Sequence, residues 1–72
     1  MIVKVEKSER DTIEQMCALS NCKASFYSIE YNPLMIQVEI LELNGDELSP
    51  SDAWFIGRSV VWSIACDKMK TI

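Results

Sequence analysis

Hydrophobic and polar positions change period several times along this chain, and each change predicts an element. Met1 to Glu6 alternates, with Ile2 set against Val3 and Val5, which predicts a short strand. From Ser8 the period lengthens: Ile13, Met16, Cys17 and Ser20 fall at i, i+3, i+4 and i+7 on one helical face, with Glu14 and Gln15 outside it. Ser8 is placed to cap this helix, Asp11 stands where a capping-box acid would stand, and Asn21 is the expected C-cap. Period two returns from Ala24 to Tyr31, with Tyr27, Ile29 and Tyr31 on one face and Phe26, Ser28 and Glu30 on the other. Asn32-Pro33 marks a turn, because proline fixes its own φ and biases the residue before it toward an extended shape.

Leu34 to Leu43 reads as a second strand of a hairpin, with Ile36, Val38 and Ile40 inward and Gln37 and Glu39 outward. After Ile40 the phase slips to Leu41 and Leu43. A bulge near Ile40, or partial cover on both faces, would produce that slip. Asn44-Gly45 is a tight-turn dipeptide, since both residues tolerate positive φ. Ser49-Pro50-Ser51-Asp52 then starts a helix: Ser49 as N-cap, Pro50 where its missing N–H costs nothing, and Asp52 near the positive helix end.

This last helix, Ser49 to Lys70, is apolar over more of its circumference than a small domain can cover. At about 100° per residue, Ala53, Trp54, Ile56, Gly57, Val60, Val61, Ile64 and Ala65 form a broad face, the expected core face. Phe55, Trp62, Cys66 and Met69 form a second stripe, with Arg58 beside it. A leftover apolar stripe meets either another element of the same chain or another protein. The pair Arg58 and Trp62, one helical turn apart, is of the kind that interface hot spots favour. Phe55, Arg58, Trp62 and Met69 are therefore the candidate contact residues.

The order β-α-β-β-α predicts a single α+β domain over residues 1–72, of two layers. About three strands, mainly a hairpin, carry two helices packed on one face. A right-handed crossover through the first helix would set the first strand parallel to its neighbour. The other sheet face is expected to carry Gln37 and Glu39 with Phe26 or Leu41.

Length sharpens the importance of the stripe. A 72-residue chain buries only about 60% of its unfolded surface, so partner binding or oligomerisation is a common source of added stability. Met1-Ile2-Val3 runs straight into Lys4, which predicts no signal peptide, and the most apolar stretch, Ala53 to Cys66, contains Arg58 and is too short for a membrane span. Cys17, Cys22 and Cys66 form an odd set without a Cys-x-x-Cys pair, which fits free thiols in the cytoplasm better than a disulfide framework.

The formal charge of −4 is unevenly spread. Residues 24–57 hold six acids, Glu30, Glu39, Glu42, Asp46, Glu47 and Asp52, and no Lys or Arg. Such a segment disfavours direct nucleic-acid binding, which rests on phosphate neutralisation by basic side chains, and favours a partner with a basic surface.

Catalytic chemistry finds little support. Histidine is absent, which removes the commonest general base, the Ser-His and Cys-His pairs and every imidazole zinc pattern. Glu39 with Glu42, or Asp46 with Glu47, lacks an apolar pocket to raise one pKa. The three Cys lack metal-ligand spacing, Asp46, Glu47 and Asp52 lack that of a calcium loop, and Gly45 and Gly57 form no phosphate-cradling motif. No enzyme activity, cofactor or metal is expected.

Two functions follow as expectations. The first is a non-catalytic binding protein whose acidic face and apolar stripe occupy a basic site, such as one that binds nucleic acid, on a larger protein. Small acidic inhibitors of nucleic-acid-binding machines, many of them encoded by phages or mobile elements, have this general composition, an analogy of class and not of motif. The second is a homodimeric structural or scaffold subunit assembled through the C-terminal helix.

Overall fold

The computed structural model describes residues 1–70. It contains strand β1 (Ile2–Glu6), a 3-10 turn (Lys7–Glu9), helix α1 (Arg10–Leu19), strands β2 (Cys22–Ser28) and β3 (Met35–Glu42), and helix α2 (Pro50–Lys70). The three strands form one antiparallel sheet in the order β1-β3-β2, a small α+β architecture. β1 and β2 thus run the same way but do not touch, because β3 lies between them. The expected parallel pairing of β1 with its neighbour is corrected: both outer strands hydrogen-bond to β3.

Alternation sorts the sheet into two faces. Val5, Ile36, Val38 and Ile40 are buried beneath the helices, with Val3, Ala24 and Phe26 packed against them. The reverse face carries Ile2, Lys4, Lys23, Ser25, Tyr27, Gln37, Glu39 and Leu41, which follow from the pairings Ile2 with Glu39, Lys4 with Gln37 and Tyr27 with Gln37. Phe26 therefore belongs to the core side, where the Arg10 guanidinium lies 4.8 Å from its ring centroid. The register of β2 against β3 runs unbroken from Cys22–Glu42 to Ser28–Ile36, so there is no bulge near Ile40. Leu41 points to the reverse face and Leu43 lies beyond the strand, which accounts for the slip in phase.

Local signals decide most boundaries. β2 ends at Ser28 and not at Tyr31, because its pairing ends at Ile36 and Asn32 organises the turn that follows. Met35 N–H donates to Asn32 C=O at 3.2 Å, and Leu34 N–H donates to Asn32 Oδ1 at 3.2 Å. Ser8 does not cap α1. It sits within the 3-10 turn, whose Lys7 N–H donates to Leu34 C=O at 2.8 Å, and α1 begins only at Arg10 without a side-chain cap. Ser20 is the C-cap, and Asn21, one position later, takes the left-handed conformation with φ of 56°. Gly45 supplies positive φ in the turn after β3, where Asp46 N–H donates to Asn44 Oδ1 at 3.0 Å. Ser49 caps α2 as its sequence predicts: Asp52 N–H donates to Ser49 Oγ at 3.3 Å.

Candidate functional site: the outer face of helix α2

Helix α2 buries Ile56 and Val60 and packs Ile64 against the same core. The close approach beside them occurs at Gly57, where a Cβ would stand 3.3 Å from the Met1 side chain. That narrow arc is all the core requires. Trp54, Phe55, Val61, Trp62 and Met69 are between 62 % and 68 % exposed, and Ala65 and Arg58 are exposed as well. Three members of the expected core face, Trp54, Val61 and Ala65, thus stand outside the core. A helix resting on one surface has contacts on only part of its circumference, and α1 already covers the β2 side of the sheet.

The outward side chains are continuous with one another. Phe55, Arg58 and Trp62 line one wall of a groove of about 620 Å³ between α2 and α1, with Met16 and Leu19 on the opposite wall. Trp54, Val61 and Trp62 border a shallower hollow of about 460 Å³ on the other side. The Arg58 guanidinium lies 4.9 Å from the ring centroid of Trp54, so its aromatic partner is Trp54 and not the expected Trp62. Of the predicted contact residues, Phe55, Arg58, Trp62 and Met69 all fall on this open face. Cys66 is half-buried beside it. Sequence reasoning missed Trp54, Val61 and Ala65, although the seven-residue separation of Trp54 and Val61 was a usable signal.

The six acids do not form one surface. Glu30 lies in the loop between β2 and β3, and Glu39 lies on the reverse face of the sheet between Ser25 and Ile2. Glu42, Asp46, Glu47 and Asp52 gather at the opposite end of β3, about 25 Å from the Glu30 end for an eight-residue strand. Glu42 and Asp52 border the same crease of about 330 Å³. Desolvation raises the Glu42 pKa, and a hydrogen bond to Asp52 and the charges of Asp52 and Asp46 raise it further.

A second carboxyl pair, unforeseen from sequence, lies near the other end of α2. Glu9 is only 3 % exposed and its Oε2 has no hydrogen-bond partner. Burial raises its pKa first; Asp67 raises it further through a hydrogen bond and through its charge, Glu6 adds a smaller push, and Lys68 opposes them. Lys68 itself bridges to Glu6 at 3.2 Å. Burial likewise pushes the Cys17 thiol up to about 11, with a contribution from Cys22, and raises that of Cys22. Neither is a ready nucleophile.

Among the described residues, no group of three or more His, Cys, Asp or Glu is placed to hold a metal ion, and no helix is long and apolar enough to cross a membrane. Comparison of the chain with protein-family models, curated proteins and solved structures finds no match. What the described residues bring together is an apolar helix face with a basic centre at Arg58 and an acidic end.

Proposed function

We propose that this protein is a non-catalytic protein-binding module, a small acidic regulator or inhibitor that occupies a basic site on a larger protein. One observation carries the reading: α2 keeps Trp54, Phe55, Val61, Trp62 and Met69 exposed on a helix whose opposite side already completes the core. Glu42, Asp46, Glu47 and Asp52 stand near its N-terminal end, where they would meet basic side chains around an apolar cleft. The reading rests on this face and its acidic end, not on a broad acidic field, because Glu30 and Glu39 lie elsewhere.

A photo-reactive residue introduced in the cell at position 54 or 62, with position 27 on the reverse sheet face as control, tests it. The expected result is cross-linking to a protein from 54 and 62, not from 27, with capture weakening as salt rises. Cross-linking from position 27 alone would overturn it.

The second reading, a homodimeric structural subunit, is favoured by a separate observation. Phe55, Arg58, Trp62, Ala65 and Met69 are spaced by three, four, three and four residues, the spacing of a helix-pairing seam.

A further inference from the structure

We infer that the outer face of α2 packs against α2 of a second copy, antiparallel, about a two-fold axis at Trp62. This deepens the second, homodimer reading, in which α2's outer face meets a second copy in place of a larger protein, and it rests on that face being a binding surface.

The seam supports a helix as occupant. Phe55, Arg58, Trp62, Ala65 and Met69 lie on the side of α2 opposite Ile56, Val60 and Ile64, with Trp54 and Val61 as flanks. A 3-4-3-4 repeat keeps one line of side chains facing a partner helix over its whole length.

Self-complementarity supports a second copy. Reversed on itself about Trp62, the seam sets Phe55 against Met69 and the bulky Arg58 against the small Ala65, so that each contact recurs twice, as an isologous interface requires. Parallel pairing would instead set Arg58 against Arg58. The antiparallel arrangement also brings the first turn, with Asp52, toward the last turn, with Lys70, joining opposite charges and opposite ends of the helix dipoles.

Area is sufficient. The five large apolar side chains leave roughly 600 Å² exposed per copy, given about 150–250 Å² for a whole aromatic. Arg58, Ala65 and Leu19 beside them bring the face near the ~800 Å² per partner of a standard interface. Such a dimer would hold its two Glu42, Asp46 and Glu47 groups at opposite ends of a helix pair about 30 Å long, leaving them open to a larger protein.

Light scattering of the full chain across a concentration series at low and high salt gives the first readout, and a mass of twice 8.2 kDa that persists at high salt is expected. Disulfide trapping in a Cys66→Ser background gives the second. Trp62→Cys should cross-link to itself at the axis, whereas the two copies of Phe55→Cys, about 20 Å apart, should not. The double variant Arg58→Cys with Ala65→Cys should trap the same dimer and serves if Trp62→Cys folds poorly. Self-linking of Phe55→Cys would overturn the antiparallel register while leaving α2 as the interface. A dimer without trapping by either the position-62 variant or the 58/65 double variant, or a monomer throughout, would overturn the proposal. The broader reading of α2 as a binding surface fails separately, when photo-cross-links from position 62 reach neither a second copy nor another protein.

Discussion

Helices α1 and α2 solve the same packing problem with different amounts of apolar surface. α1 buries Ile13, Met16 and Cys17 and turns Asp11, Glu14 and Gln15 outward, so its apolar stripe and its contact surface coincide except at Leu19, which is exposed in the last turn. α2 buries a stripe of comparable width, Ile56 and Val60 with Ile64 beside them, and then repeats the apolar character on its opposite side. The core accounts for all of the first pattern but Leu19 and for half of the second. Surplus of that kind has no role in the fold as a monomer, which is why the binding reading attaches to α2 and not to α1.

The sharpest way to break this comparison is to truncate each helix on its inner side. Ile13→Ala and Ile56→Ala should each destabilise the protein by about 2–5 kcal/mol in urea unfolding. Val61→Ser, on the outer side of α2, should leave the dilute protein within about 0.5 kcal/mol and remove any concentration dependence of unfolding. A loss at Val61 as large as that at Ile56, at high dilution, would mean the outer face supports the monomer.

The carboxyl contact between the helices gives the next test. The native pKa of Glu9 lies above its unfolded value, so the native state holds the proton more tightly. The stability this contributes is complete below the ordinary carboxylate range and is lost as pH rises through the native pKa. Glu9→Gln should therefore raise the melting temperature relative to the parent at neutral pH, with the gain shrinking toward pH ~4. The difference between the two proteins isolates Glu9 from the Glu6–Lys68 bridge, which both share. A gain that does not depend on pH would exclude the buried carboxyl as its source.

Capping separates the helices by a smaller amount. Ser49→Ala removes the acceptor for Asp52 N–H and should cost about 1 kcal/mol. Ser8→Ala should change stability little, because no side chain caps α1. The smallest test concerns reactivity and not stability: at pH ~8 a thiol reagent should label Cys66 ahead of Cys17 and Cys22, which are buried and have raised pKa values. Protection of Cys66 that grows with protein concentration would further mark the α2 face as covered.

Much of the architecture was legible in the residues. Alternation in β3, the Asn44-Gly45 turn and the Ser49-Pro50 start are each set by local backbone chemistry, so short windows suffice to read them. Sheet order was not legible, because nothing within β1 distinguishes β2 from β3 as its partner. The arc that α2 buries was equally hidden: periodicity ranks side chains by angle, but when nearly every angle is apolar it does not say which arc has a neighbour. Trp54, Val61 and Ala65 fell on the wrong side for that reason. The buried Glu9 gave no sequence signal at all, since its setting depends on Asp67 and Lys68 arriving from the far end of the chain beside Glu6. The acids show the converse limit: a run of one charge sign in sequence was divided among three places by the hairpin.

The central position of β3 also sets a timetable for synthesis. Both outer strands have β3 as their ladder partner, and β3 ends at Glu42, 36 residues after the end of β1. At about 5–20 residues per second, the apolar side chains of β1 wait roughly two to seven seconds on the ribosome before any sheet can exist. The β2–β3 hairpin, closing over a short loop, is then the natural first event, and β1 joins by closing a longer one. Translation speed across residues 7–42, more than the strength of any single contact, thus governs how long the nascent chain stays open to misassociation.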